Sequence, residues 1–95
     1  MEVRVVASLV AKPEYLEEVT ATLHEIIEPS RLEVGCIQYE LHQDNENPAG
    51  FVFFERWRSQ EALDKHSNSE HFGRFASQLE GKLASLDIKT LKQIA

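Results

Sequence analysis

Cys36-Ile37-Gln38-Tyr39-Glu40-Leu41-His42, followed by Asp44-Asn45-Glu46-Asn47-Pro48-Ala49-Gly50 and then Phe51-Val52-Phe53-Phe54-Glu55-Arg56-Trp57-Arg58, is the stretch that decides the fold. In the first run Ile37, Tyr39 and Leu41 alternate with polar neighbours, the period of a half-buried strand. In the last run aromatic and β-branched residues dominate, as strands favour. The segment between them is polar and rich in turn formers, so the three pieces together predict a β-hairpin with a long loop. Gly35 ends whatever precedes the first strand of this hairpin.

Working outward toward the N-terminus, Leu16, Val19, Leu23, Ile26, Ile27 and Ser30 recur at steps of three and four and form one inward helical stripe. Pro13 suits the first turn of that helix, and Glu14, Glu17 and Glu18 complement its positive end. Pro29 is expected to bend or interrupt the last turns. Before the helix, Val3, Val5, Ala7, Leu9 and Ala11 alternate with Arg4, Val6, Ser8, Val10 and Lys12, which reads as a strand. Its second parity also carries Val6 and Val10, so neither face looks fully solvated, and a partner subunit is the expected cover.

Toward the C-terminus, Ser59 caps a short helical piece containing Ala62, Leu63 and His66, with Glu61 in its first turn. Helix restarts at Ser69-Glu70-His71 and carries Phe72, Phe75, Ala76, Leu79 and Leu83, so a break is expected near Ser67 to Ser69. Leu86, Ile88, Thr90, Lys92 and Ile94 then alternate as a last strand. The order β-α-β-β-α-β closes into a four-stranded antiparallel sheet with the helices on one face, a ferredoxin-like α+β fold.

The 95 residues suit one domain spanning 1–95. The net charge of −6 and the acidic pI near 5.1 leave no basic footprint for a phosphate backbone, so nucleic acid is not an expected partner. The longest apolar stretch, Val5 to Ala11, is too short to cross a bilayer and no cleavage signal follows it, so neither a membrane span nor a leader is read. A single cysteine, Cys36, makes no intrachain disulfide, and a cytoplasmic location is expected. Cys36 reads as a small buried residue rather than a nucleophile.

The residues with chemistry cluster around the second hairpin strand and the broken helix. Phe51, Phe53, Glu55 and Trp57 share a strand face, placing one carboxylate among three aromatics. Burial there would raise the pKa of Glu55 toward a useful range, unless Arg31 or another cation pairs with it or the position opens to water. His66 and His71 stand five apart across the helix break and need not share a face as a metal pair at i, i+4 would, and no carboxylate accompanies them at helical spacing. No metal is therefore expected. Either histidine could act as a general base, or simply cap a helix end. Tyr39 offers a hydroxyl that could bind a substrate oxygen. His24 and His42 fall on polar faces. The glycines form no phosphate cradle, and no dinucleotide fingerprint or nucleophile elbow is present.

Three pieces look familiar together: Ser30-Arg31-Leu32-Glu33-Val34-Gly35-Cys36-Ile37-Gln38-Tyr39-Glu40-Leu41, the triplet Glu55-Arg56-Trp57, and Glu61-Ala62-Leu63-Asp64-Lys65-His66 followed by Glu70-His71-Phe72. In their order and spacing the chain resembles the antibiotic biosynthesis monooxygenase (ABM) domain family, including its small quinol monooxygenase-like members. The resemblance runs from the first strand to at least Phe75. It implies a ferredoxin-like homodimer with packed sheets and a pocket between sheet and helices. Tyr39, Glu55, Trp57, His66, His71 and Phe72 match the positions that would line it, and Arg31 matches a motif residue that binds substrate or else serves structure. Haem-degrading relatives place a ligand histidine where this chain reads Phe72-Gly73-Arg74-Phe75-Ala76, so haem is not expected.

What the resemblance implies is a cofactor-independent monooxygenase acting on a small quinol-like or polyhydroxylated aromatic with molecular oxygen. In that expectation Phe51, Phe53, Trp57 and Phe72 exclude water, His66 or His71 assists proton removal, Tyr39 holds substrate oxygens, and Glu55 orients a histidine or an arginine. Two other readings stay open: isomerisation of a small enolisable, phosphorylated carbonyl compound, and a non-catalytic ligand-binding dimer.

Overall fold

The computed structural model describes residues Met1 to Ala95. Four strands, β1 (Val3–Ala11), β2 (Cys36–Gln43), β3 (Gly50–Trp57) and β4 (Leu83–Leu91), form one sheet in the order β2-β3-β1-β4. Every neighbouring pair is antiparallel. A 3-10 turn at Pro13–Tyr15 leads into α1 (Leu16–Glu25) and α2 (Ile27–Arg31), and the second crossover carries α3 (Gln60–Ser67) and α4 (Glu70–Leu79). This is the expected ferredoxin-like α+β architecture, with the expected break between α3 and α4.

The alternation read from β1 decides which face is covered. Val5, Ala7, Leu9 and Ala11 are buried beneath the helices together with Tyr39 of β2 and Phe51, Phe53 and Trp57 of β3. Val19, Leu23 and Ile26 of the first helical segment complete this side of the core, and burial of side chains of this size contributes roughly 1.5–3 kcal/mol each. Val6, Val10, Val52 and Phe54 point to the other face of the sheet, where no element of the chain covers them and they are half-buried. There Arg56 donates two hydrogen bonds, of 2.8 and 2.9 Å, to the Glu2 carboxylate.

Two boundaries and one strand face differ from the sequence reading. The first helix breaks at Ile26, and Pro29 sits inside the first turn of α2, where its missing N–H goes unnoticed. Ile37 lies at an irregularity in the β2–β3 register and is 42% exposed, so the inward parity begins only at Tyr39. β4 begins at Leu83 rather than near Leu86, because Gly81, at φ +77°, turns the chain sharply after α4, and the strand ends at Leu91.

One close approach fixes the relative position of two functional segments. Gly35 lies so tightly against Ala62 of α3 that a Cβ on Gly35 would collide with the Ala62 side chain. The Gly35 carbonyl also accepts the Arg58 N–H at 2.9 Å, just ahead of α3. The loop before β2 is thus pressed onto α3.

Candidate active site

Between the sheet and the second pair of helices lies an open cavity of about 800 Å³. Val5, Ala7 and Leu9 of β1, Phe53 of β3 and Phe72, Phe75 and Leu79 of α4 give it an apolar wall, and Leu86 and Ile88 of β4 form an exposed lip. Its polar groups include Tyr39, Glu55 and His66. Glu55 and Glu80 are its charged lining residues, and neither lysine nor arginine lines it.

Local structure places each of these groups. Tyr39 and Val5 flank Glu55 in one cross-strand row, so the carboxylate sits at mid-sheet under the helices. Glu55 is only 6% exposed, and Trp57 Nε1–H donates to its Oε1 at 2.9 Å. Burial pushes the Glu55 carboxyl up to about 7, the Trp57 hydrogen bond partly opposes this, and the nearby Glu33 adds to it. Burial likewise drives the Tyr39 phenol upward, with Glu55 next in effect, so Tyr39 stays a neutral hydroxyl. Ser30 Oγ lies near enough to moderate that rise, yet it makes no hydrogen bond of ordinary geometry.

His66 ends α3 and His71 opens α4. Ser69 makes the corner between them: its Oγ accepts the Phe72 N–H at 3.2 Å and donates to the His66 carbonyl at 2.6 Å. The change of helix direction turns both imidazoles toward the loop before β2. There Glu33 Oε2 lies 2.6 Å from His66 Nδ1 and 2.7 Å from His71 Nε2. A carboxylate only accepts, so each ring nitrogen facing it carries the proton and donates. The His66 ring is 4.5 Å, centroid to centroid, from Trp57 and within 5.4 Å of Tyr39 and Phe72. Its Nε2 is buried and has no hydrogen-bond partner. Burial lowers the His66 pKa, while Glu33 pulls it the other way. His66 is thus a neutral imidazole whose Nε2 carries a lone pair.

The structure gathers Tyr39, Phe53, Glu55, His66 and Phe72 around the cavity. It places the other expected site residues elsewhere. Phe51 lies in the core and Trp57 is wholly buried behind the wall, where it contacts His66 and bonds Glu55 rather than meeting the cavity. Arg31 donates from Nε to the Tyr39 carbonyl at 3.0 Å and lines a separate surface cleft with Cys36 and Gln38, so it is a structural tie between α2 and β2. His71 opens onto another outer cleft, with Thr22 and Arg74. The Glu55 carboxylate bonds neither a histidine nor an arginine; its side-chain hydrogen bond comes from Trp57. The histidines are held instead by Glu33, a residue that periodicity does not mark: it stands in a short loop between the exposed Leu32 and Val34. Burial raises the Cys36 pKa, with Glu33 and Glu55 adding to the rise, which keeps it a thiol.

Glu33, His66 and His71 also form a set of potential metal ligands, with the donor atoms all within 4.8 Å of one another. The 2.6 and 2.7 Å separations are those of charge-assisted hydrogen bonds. Ligands about 2.0–2.1 Å from a tetrahedral ion would lie farther apart than this.

A four-stranded sheet with an apolar hollow beneath its helices, lined by one buried imidazole, defines a small α+β domain of the ferredoxin-like class. The antibiotic biosynthesis monooxygenase family model matches residues 2–78, and the chain belongs to that family. It is 35% identical over 77 residues to "Putative monooxygenase Rv0793" of Mycobacterium tuberculosis, covering 81% of this chain and 75% of that protein. It is 38% identical over 89 residues to the uncharacterized protein sll1783 of Synechocystis, spanning 93% of this chain but 60% of that relative's length. Among solved structures, PA3566 of Pseudomonas aeruginosa superposes with a TM-score of 0.93 at 37% identity, covering 99% of this chain and 95% of that one. No helix is long and apolar enough to cross a membrane.

Proposed function

We propose that the protein is a cofactor-independent monooxygenase that oxidises a neutral quinol-like or polyhydroxylated aromatic with molecular oxygen. The observation that carries this reading is the unbonded, buried Nε2 of His66 beside an apolar cavity. An unpaired buried ring nitrogen costs about 1–3 kcal/mol, and a substrate hydroxyl is the partner that would repay it. In the proposed reaction His66 Nε2 takes that hydroxyl's proton. The resulting anion gives an electron to O2, and the two radicals combine through a new C–O bond to a peroxide. Loss of water leaves the oxidised ring: a quinol and O2 become a hydroxyquinone and water, with all four electrons supplied by the substrate. Tyr39, as a neutral hydroxyl, holds a substrate oxygen, and the apolar wall keeps water from the radical pair.

The cavity volume lies within the range of sites that take drug-sized ligands, so a multi-ring aromatic has room in it. Its lining also weighs against the phosphorylated carbonyl substrate of the isomerase reading, because a phosphate would meet Glu55 and Glu80 without a lysine or arginine in the wall. The protein is further proposed to act as a homodimer in a reducing cytoplasm: Val6, Val10, Val52 and Phe54 form an uncovered sheet face, and Cys36 is a free thiol. The test is oxygen uptake by metal-free, flavin-free protein with 1,4-dihydroxynaphthalene, read together with formation of the hydroxyquinone. Uptake above the rate without protein, unaffected by a chelator and lost in His66→Gln, is the expected outcome. Oxygen consumption indistinguishable from the protein-free rate across a panel of quinols would remove the proposal.

A further inference from the structure

We infer that Glu33 is a positioning residue that fixes the proton of His66 on Nδ1, so that Nε2 stays bare toward substrate, and that His71 holds Glu33 in place for this task. The inference rests on the reading of His66 as the base. It starts from three facts of geometry. Glu33 Oε2 receives both imidazoles, at 2.6 and 2.7 Å. His66 is 2% exposed, whereas Glu33 and His71 are 17% and 20% exposed, so the arrangement runs from the buried ring outward. His71 lines an outer cleft and not the cavity, which leaves it no direct contact with a substrate there.

A neutral imidazole has one proton and two places to put it, and its hydrogen-bond partner selects which. With a carboxylate at Nδ1, the proton must stand on that side. Without it, nothing in the packing around Nε2 distinguishes the two forms, since Trp57, Tyr39 and Phe72 meet the ring by their aromatic faces and edges. The same carboxylate stabilises the imidazolium that forms when Nε2 gains a proton, as an orienting acid does behind a catalytic histidine. A single hydrogen bond would leave a loop glutamate free to rotate. The second, from His71 on α4, ties the carboxylate to a different helix and holds Oε2 between the rings.

The titratable groups around His66 are Glu33 from the loop, His71 from α4, Tyr39 from β2 and, across the Trp57 ring, Glu55 from β3, which lines the same cavity. Nitrogen-15 NMR of the histidine rings in the free protein reads the tautomer without any substrate. Wild-type protein is expected to show His66 protonated at Nδ1 and bare at Nε2, and Glu33→Ala to shift His66 toward the Nε2-protonated form. With 1,4-dihydroxynaphthalene as the probe, Glu33→Ala is expected to lower kcat by about 10–100-fold at nearly unchanged KM, with partial recovery when formate is added. Glu33→Gln, which keeps an acceptor and removes the charge, should retain the tautomer and move the acid limb of the kcat/KM profile to lower pH. It also serves as the reading if the alanine variant does not fold.

A wild-type His66 protonated at Nε2 overturns the inference, as does a folded Glu33→Ala protein with an unchanged tautomer. A Glu33→Gln protein with an unshifted profile overturns the electrostatic part. If the tautomers behave as expected but the wild-type protein consumes no oxygen with the probe, the oxygenase reading falls and the assignment of Glu33 stands.

Discussion

Glu55 and His66 are both buried at the cavity, and their proton equilibria act on stability in opposite directions. The Glu55 carboxyl is raised from 4.5 to about 7 by burial. A raised folded value means that the native state holds this proton more tightly than the unfolded chain does. The resulting stabilisation is full below pH 4.5 and is lost as pH rises through about 7. His66 is lowered from 6.5, so its contribution is present above 6.5 and lost as pH falls through the folded value. Urea unfolding should therefore show Glu55→Gln gaining on wild type as pH rises from 5 to 8, by up to about 3 kcal/mol. The Gln carbonyl still accepts from Trp57 Nε1–H, so a gain that does not change with pH would contradict this account. At this scale the sequence marks several residues that line the cavity and passes over the carboxylate that joins the two histidines. Tyr39, Glu55 and His66 announce themselves by sitting on inward parities or at a helix end, as does Phe72. Glu33 does not, because its two hydrogen bonds come from two helices turning toward a loop, a relation that no local spacing encodes.

At the scale of elements, the corner between α3 and α4 governs the aim of both histidines. The residues that start the two helices were legible: Ser59 and Ser69 each accept the N–H three residues on, as their place before a helical run suggests. Ser69→Ala removes that bond and the one to the His66 carbonyl, and should lower unfolding stability by about 1 kcal/mol, measured by urea titration. Loss of less than a few tenths would mean that water satisfies the corner as well as the hydroxyl does. What the pattern of residues left unread was where elements begin and end. β4 displays the alternation of Leu86, Ile88 and Thr90, yet its start is set by the turn at Gly81, a matter of backbone dihedrals. The break at Ile26 likewise comes three residues before Pro29, the residue expected to cause it.

The whole molecule has one finished face and one unfinished face. Helices cover Val5, Ala7, Leu9 and Ala11, while nothing in the chain covers Val6, Val10, Val52 and Phe54. A strand with apolar residues on both parities invites a second layer. In the proposed dimer the sheets supply it to each other, so sedimentation should give about twice 10.9 kDa, and Phe54→Asp, which puts a charge into the contact, should give the single-chain mass. Wild-type protein sedimenting as one chain at micromolar concentration would refute the dimer. The β-α-β-β-α-β order was readable from alternation and turn chemistry because each element carries its own period. A two-sided sheet was readable for the same reason.

The bare backbone at Gly35 touching Ala62 works as a gauge. It sets how near the segment bearing the carboxylate can come to the helix bearing the imidazole. A single added methyl would act as a shim under that fitting, prying apart two groups that it never meets. Alignment in this protein is thus governed partly by an atom left out, and changes in rate can arise at a position with no chemistry of its own.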